Sequence, residues 1–193
     1  VAGLCAARVA AGMGADVTVF DVDVARMRYI DEVWGGRIGT RFSSPLAVRE
    51  ACGESDVVIG SVLVPGARTP HLVDHEMVLG MVPGSVLVDV AVDQGGCFED
   101  SHPTTHADPT FVVGGSVFYC VANMPGAVPH TSTYALTNAT MRYVLLLADE
   151  GWRGACGSRD DLRRGLATCG GKLVSAPVGE ALGIECVPVS EVL

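Results

Sequence analysis

The sequence predicts an α/β fold, with a doubly wound parallel sheet followed by a C-terminal helical segment of a second domain. Short runs rich in Val and Ile alternate with helix-compatible segments, which is the order of strands and crossover helices in such a sheet. The 193 residues are 49% apolar and 6% aromatic and include 24 Gly, a composition typical of buried parallel strands with tight loops. After Thr131 the alternation gives way to one long helical segment.

The first part of the chain alternates helices with strands. A helix of small residues ends at Gly14, and the β-branched and aromatic strand after it ends in Asp21. A Gly-Gly pair stops the next helix, and either Ser43 or Ser44 caps the one after it. The predicted elements are a helix over 3–14, a strand over 17–21, helices over 24–34 and 45–52, and a strand over 56–60 that residues 61–63 continue or end in a turn.

The most hydrophobic strand lies near the middle of the chain. Around it we predict a helix over 75–81, strands over 85–91, 110–113 and 118–121, and a long helix over 131–152. The connection 124–129 contains two Pro and one Gly, so it is the predicted domain boundary. The apolar stripe over 141–147 of the long helix is interpreted as buried, with an oligomer interface as the other option.

Charge and cysteine content argue against several classes of function. The formal net charge is −9 and no basic run offsets it, which argues against nucleic acid and anionic membranes as partners. No apolar stretch reaches the roughly 18 residues that span a membrane. The seven Cys are odd in number and form no CxxC pair, a pattern that favours a reducing cytoplasmic compartment and no metal site or disulfide framework.

One pair of residues matches part of a dinucleotide-binding unit. Gly3 opens the first helix, and Asp21 ends the following strand 18 positions later. In such units the third Gly of GxGxxG lets helix and strand pack closely, and an acid about 20 residues on accepts hydrogen bonds from a ribose. An acid there also repels a 2′-phosphate, which favours NAD over NADP. Taken alone the pair is a weak signal, since most acids after a strand are ordinary solvated loop residues.

Polar groups also follow two other predicted strands. Asp93 and Gln94 come directly after the most hydrophobic strand and precede two glycines, and Asn123 follows the strand over 118–121. In doubly wound sheets, ligands bind outside the carboxyl ends of the strands. These positions therefore predict a ligand site, although a turn with a helix cap would explain the first segment equally well.

Longer motifs resemble the alanine dehydrogenase family, a group that also includes the α subunit of the proton-translocating transhydrogenase. They are GSVLVPGARTPHLV at 60–73, DQGGCFEDSHPTTHADPTF from Asp93, and FYCVANMPGAVPHTSTYALTNAT from Phe118. The resemblance runs along essentially the whole chain. It implies a Rossmann-like NAD-binding domain over 1–129, lacking its first strand, and a C-terminal helical part of a substrate domain over 130–193. It also implies reversible oxidative deamination of L-alanine to pyruvate and ammonia with NAD, usually by a homohexamer.

The resemblance assigns roles to individual residues. Asp93 matches the catalytic aspartate of the family, where a carboxylate can orient or deprotonate the amine and the attacking water. Asp21 matches the ribose-binding acid with Arg26 beside it, Ser43 lies near the adenine, and His102 falls where relatives often carry an Arg near the cofactor phosphates. His is mostly uncharged near neutral pH, so that phosphate contact is expected to be weaker. The other cofactor positions are Gly3, Val62, Leu63, Val90, Ala91, Val92, Asp93, Val121, Ala122, Asn123 and Met124.

The chain begins at Val1, and the resemblance implies that a preceding segment supplies a first strand and the substrate-binding Lys, His and Arg of the family. We therefore expect a C-terminal fragment with an interrupted sheet, an exposed apolar surface, weak NAD affinity and no activity by itself. Two alternatives remain. The first is a transhydrogenase α-subunit domain, against which the CFEDSHPTTH stretch and the helical tail argue. The second is a non-catalytic remnant of a truncated gene. The remaining histidines are interpreted as surface or capping residues; they are His71, His75, His106 and His130.

Overall fold

The computed structural model describes residues 1–64 and 69–193, and it divides the chain into two compact units. The first unit comprises Val1–Leu63 and Thr69–Asn123, and the second is formed chiefly by Met124–Leu193. Residues 65–68, which belong to the family-like segment 60–73, lie outside the described residues. The functional division into 1–129 and 130–193 stays a prediction, because compactness does not reveal which unit binds what.

In the first unit, helices and strands alternate as the sequence predicts. Asp23, Ser44 and Asp74 begin three of the helices, and each side chain accepts hydrogen bonds from backbone N–H groups of the first turn. The helices are α1 (Ala2–Gly12), α2 (Val24–Trp34), α3 (Pro45–Glu54) and α4 (His75–Leu79). The strands are β1 (Thr18–Asp21), β2 (Gly39–Phe42), β3 (Val57–Gly60), β4 (Val86–Asp89), β5 (Thr110–Val113) and β6 (Ser116–Tyr119).

The strands form two sheets. β1 pairs with β2 in parallel, and the other sheet has the order β3-β4-β6-β5, in which β3, β4 and β6 are parallel. Among the described residues no strand joins β1 to β3, which is the interruption expected for a sheet without its first strand. The predicted α/β class with a parallel sheet is confirmed.

Two details of the sheets differ from the expectation. β5 runs antiparallel to β6 because they form a hairpin, whose turn residues Gly114 and Gly115 both have positive φ (58° and 92°). An antiparallel edge strand is common on otherwise parallel sheets. β2 was not predicted, because Gly39-Thr-Arg-Phe is a mostly exposed edge strand without an apolar run.

Two apolar clusters hold the first unit together. The larger one packs α4 and the loop after β4 against the four-stranded sheet, with Leu87, Phe98 and Phe118 at its centre and fully or almost fully buried. The smaller one packs α1 and α2 beside the first sheet through Ala7, Ile30 and Ile38. Burial of a large apolar side chain contributes about 1.5–3 kcal/mol, so these residues supply much of the unit's stability.

The second unit is mainly helical. It contains α5 (Pro129–Ser158), α6 (Asp160–Gly165), a hairpin of β7 (Thr168–Cys169) and β8 (Lys172–Leu173), and α7 (Ala176–Leu182). The long helix was predicted to end near Trp152, and its regular geometry breaks at Gly151, whose φ of 68° is not helical. The apolar stripe over 141–147 was interpreted as buried, which is wrong for this chain, since Met141, Val144, Leu145 and Leu147 are exposed and the rest of its apolar side chains are only half-buried. No helix among the described residues is long and apolar enough to cross a membrane.

Candidate cofactor and active site

Three loop segments lie together where the parallel strands of the larger sheet end. β3, β4 and β6 are neighbours, and their registers place Gly60 beside Asp89 and Val88 beside Tyr119. Residues 61–63, 90–93 and 120–123 follow these strands and therefore share one edge. Val90 is anchored there by its N–H, which donates to the Gly60 carbonyl at 2.8 Å. This is the edge at which doubly wound folds bind ligands.

The N-terminus of α1 approaches the same edge very closely. A Cβ added at Gly3 would lie 2.3 Å from Ser61 Oγ, so only glycine fits there without a shift. Gly60 is equally crowded, since its Cβ would lie 2.7 Å from the Cβ of Cys97. The expected close packing of helix and strand at Gly3 is thus present, and it brings a helix N-terminus to the edge of the sheet.

Asp93 projects from a short 3-10 turn after β4. Ala91 and Val92 are buried and Val90 is 38% exposed, whereas Asp93 is exposed at the edge. The turn covers Val92–Gln94 and ends at Gly95, which has a φ of 100°. The sequence predicted a continuous strand over 85–91, but β4 ends at Asp89.

The structure brings Asp93 next to Asn123. The backbone N–H of Asn123 donates to Asp93 Oδ2 at 3.4 Å, and Asn123 has a φ of 53°, the one positive φ outside glycine among the described residues. A non-glycine residue in this conformation is strained by about 1–3 kcal/mol, and such residues cluster at functional sites. His106, interpreted from the sequence as a surface residue, places its Nε2 3.3 Å from the Asn123 carbonyl oxygen.

Thr104 holds the segment before Asn123 in place. Its N–H donates to the Cys120 carbonyl at 2.9 Å, and its own carbonyl accepts from the Ala122 N–H at 3.2 Å. The side chain of Val121 is buried between these contacts, and Ala122 is half-buried. This clamp was missed from the sequence, because it depends on how the 101–109 loop folds back, whereas His106 is exposed as the sequence predicted.

A second group of predicted residues surrounds the end of β1. Asp21 is half-buried, and its Oδ1 accepts the N–H of Asp23 at 2.9 Å. Ser43 follows β2, and its N–H donates to the Asp21 carbonyl at 3.0 Å. Arg26 lies exposed in the first turn of α2. Asp21 and Ser43, assigned to the adenosine end of the cofactor, are therefore neighbours, and Arg26 lies in the helix that follows β1.

The His102 ring packs against an aromatic side chain, unlike a side chain that is free to move towards a phosphate. Its ring stacks on Phe111 with centroids 3.8 Å apart, and Phe111 stacks in turn on Phe118 at 5.0 Å. The imidazole is exposed to solvent on its other side. The aromatic row fixes the plane of the ring, whereas its role near a phosphate stays a prediction.

The buried thiols near this edge are poor nucleophiles. Burial raises the pKa of Cys97 to about 11, against a smaller opposing effect of a hydrogen bond with the Val62 backbone. Burial also raises the pKa of Cys120. Both thiols therefore stay protonated near neutral pH, so thiolate chemistry is not available there. Within residues 1–64 and 69–193, no three His, Cys, Asp or Glu side chains are grouped as metal ligands.

The first unit has the features of an α/β domain of the dinucleotide-binding class. They are an interrupted parallel sheet, a crowded glycine at a helix N-terminus, an acid at the end of β1 and polar groups at neighbouring strand ends. The chain belongs to the family described as Alanine dehydrogenase/PNT, C-terminal domain, whose model matches residues 1–176. The resemblance seen in the sequence is thereby confirmed.

Proteins of known name support the same family. The chain is 58% identical over 192 residues to an alanine dehydrogenase of Mycolicibacterium smegmatis and 54% identical over 193 residues to one of Halomonas elongata. Each match covers 100% of this chain and 52% of the relative, so the chain spans about half the length of these relatives.

Two solved structures are also similar. An L-alanine dehydrogenase matches with a TM-score of 0.82 and 46% identity, over 94% of this chain and 50% of the other. A transhydrogenase from Sinorhizobium meliloti matches with a TM-score of 0.64 and 30% identity, over 78% of this chain and 43% of the other. The dehydrogenase is thus the nearer of these two in fold and sequence.

Proposed function

We propose that this chain is the cofactor-binding part of an NAD-dependent alanine dehydrogenase, which interconverts L-alanine with pyruvate and ammonia. The observation that carries the proposal is the pairing of Asp93 with the strained backbone of Asn123 at the strand edge. The names of the relatives at 58% and 54% identity support the substrate.

The segments that would bind the dinucleotide pack closely against one another. Gly3 lets α1 approach Ser61, and Gly60 lets β3 approach Cys97, at positions where any side chain would collide. NAD, when bound, supplies the two-electron acceptor for the reaction. Asp21, Arg26 and Ser43 would hold its adenosine end. The segments that would hold the rest, with His102 nearer the phosphates, are Val62–Leu63, Val90–Asp93 and Val121–Met124.

Asp93 has the chemistry that amine oxidation needs. Its carboxylate is exposed at the edge and is held by the Asn123 N–H through one oxygen, Oδ2, while Oδ1 is left for a substrate group. In the direction of deamination, Asp93 would accept a proton from the alanine ammonium and then orient the water that attacks the imine carbon. General acid–base help of this kind contributes about 10²–10⁴-fold.

The remaining assignments concern the assembly. We propose residues 1–129 as the NAD-binding domain and 130–193 as the C-terminal part of the substrate domain, acting in a homo-oligomer, a hexamer in the family. A cytoplasmic location is supported by the seven cysteines, all free of disulfides in the described chain. By itself the chain would be inactive, because it spans about half of its relatives.

The experiment joins this chain to the N-terminal half of the Mycolicibacterium smegmatis relative and follows NADH absorbance with L-alanine and NAD. We expect the chimeric protein to form NADH and the 193-residue chain to form none. The transhydrogenase similarity supplies the rival outcome. A chimeric protein that binds NADH but oxidises no alanine, and instead reduces a second dinucleotide, would contradict the proposal in favour of a transhydrogenase-like domain.

A further inference from the structure

We propose that Asp89 is a positioning residue, whose buried carboxylate fixes the loop 90–101 and so holds Asp93 at the strand edge. The inference rests on the proposed function for the role of Asp93, but the loop geometry stands independently. The Asp89 side chain does not reach the surface, because the residue is fully buried at the end of β4. Its contribution would therefore be to the shape of the site and not to contact with substrate.

The Asp89 carboxylate binds both ends of that loop. Oδ1 accepts the N–H of Ala91 at 3.0 Å, next to the start of the loop. Oδ2 accepts the N–H of Cys97 at 2.7 Å and the hydroxyl of Ser101 at 2.6 Å, near its end. One side chain thus ties the start of the loop to its end, while Asp93 between these contacts stays exposed.

The loop has further features that fit this closure. Gly96 has a φ of 80°, and a Cβ there would lie 2.9 Å from Asp89 Oδ2 and 2.9 Å from the Cβ of Ser101. The N–H groups of Gln94 and Gly96 both donate to the Ala91 carbonyl, at 2.9 and 3.1 Å. The glycine therefore lets the backbone close tightly around the carboxylate.

A buried carboxylate is costly unless its oxygens are hydrogen-bonded. All three donors to Asp89 are neutral, and no ion pair to it occurs among the described residues. Three hydrogen bonds from separate positions of the loop converge on this one carboxyl group, so together they hold the start and the end of the loop in place. A fixed loop is what a catalytic carboxylate needs.

The network also reaches the other side of the site. Cys120 is fully buried and donates from Sγ to Ser101 Oγ at 3.7 Å, and it directly precedes the segment that ends in Asn123. Asn123 in turn donates to Asp93. Asp89 is therefore connected to Asp93 along the loop. Through Ser101 and Cys120 it is also connected to the segment that contains Asn123, the hydrogen-bond donor to Asp93.

The test compares Asp89→Asn and Ser101→Ala with Ser116→Ala in the chimeric protein. Ser116 is buried, and its hydroxyl hydrogen-bonds to the Ser85 hydroxyl at 2.8 Å. The two residues lie where β4 and β6 begin, at the end of these strands away from the site. Ser116→Ala is therefore a matched loss of one buried hydrogen bond. Unfolding midpoints, kcat, KM for L-alanine and hydrogen–deuterium exchange of loop 90–101 are measured for each.

We expect Asp89→Asn and Ser101→Ala to lower kcat by about 10- to 100-fold, since a displacement of about 1 Å of a catalytic group costs on the order of 100-fold. KM should change less, and exchange should rise in loop 90–101. Ser116→Ala should lower the unfolding midpoint with kcat unchanged. If Asp89→Asn does not fold, Ser101→Ala decides the question.

Equal kcat in Ser101→Ala and Ser116→Ala, or unchanged exchange in the loop, would overturn the proposal. If the chimeric protein without these substitutions formed no NADH from alanine, that result would instead contradict the proposed function. The exchange measurement would then still show whether Asp89 fixes the loop.

Discussion

Asp21 and Asp93 both lie at the carboxyl ends of parallel strands, and their surroundings differ. Asp21 is half-buried and accepts a backbone N–H through Oδ1, so it is a fixed acceptor for neutral hydroxyl groups. Asp93 is exposed and accepts the Asn123 N–H through one oxygen. Under the proposed function, the first residue would select the cofactor and the second would take part in the chemistry.

Replacing Asp21 by Ser should relax the preference for NAD. The change removes the charge that repels a 2′-phosphate and weakens the hydrogen bonds to the ribose. A hydrogen bond to a charged group contributes about 1.5–3 kcal/mol, so NADH affinity should fall by about tenfold or more, while NADPH affinity rises. The measurement is the Kd of each reduced cofactor by fluorescence in the chimeric protein.

Asp23→Asn is the matched control, since Asp23 is an acid two residues away that caps α2. It should leave the ratio of the two Kd values unchanged. An unchanged ratio in Asp21→Ser would mean that Asp21 does not face the ribose.

Some of the residues at this edge could be predicted from the sequence, and others could not. Asp93 and Asn123 were predicted because each lies shortly after a predicted strand, so its place beyond the end of that strand depends on local order. Asp89 lay inside a predicted strand, and its partners Cys97 and Ser101 are 8 and 12 residues away. Their contact depends on the closing of a loop, which periodicity does not indicate.

At the scale of elements, the alternation of strands and helices along the chain follows from local patterns. α2 and β5 have the predicted bounds, because Asp23 and Gly35 cap the helix and a Gly-Gly turn ends the strand. β2 was not predicted from the sequence, because its pairing with β1 is a tertiary contact. The hairpin of β5 and β6 also required knowing that two glycines adopt positive φ, which reverses the strand direction.

The packing of α1 on the end of β3 yields a prediction about Gly3. Gly3→Ala should destabilise the chain by about 1–3 kcal/mol, the usual cost of overpacking, because the new Cβ would collide with Ser61 Oγ. Adding Ser61→Ala should restore much of the loss, since that oxygen is removed. The free energy of unfolding by urea is the measurement.

Gly12→Ala serves as the control in the same helix, because a Cβ there meets nothing within 4 Å. It should be neutral or stabilise the chain by up to about 1 kcal/mol, as alanine is the better helix former. Equal effects of Gly3→Ala and Gly12→Ala would show that α1 does not pack closely on Ser61.

At the scale of the whole molecule, both units have features of parts of a larger protein. The sheet of the first unit is interrupted between β1 and β3. In the second unit α5 exposes several large apolar side chains, which are Tyr134, Leu136, Met141, Val144 and Leu145. Relatives about twice as long as this chain contain the additional sequence that could cover such surfaces. Under the proposed function, activity belongs to the larger protein and the cofactor site to this chain.

The most direct test of that account is the effect of Asp93→Asn on the chimeric protein. We expect kcat for NADH formation from L-alanine to fall by about 100-fold or more, because proton transfer is lost, while the Kd for NADH stays nearly constant. Asp108→Asn, an exposed acid in the neighbouring 101–109 loop, should leave both unchanged. A kcat of Asp93→Asn equal to that of the parent would contradict the account, because the strand edge would then not be where the reaction takes place.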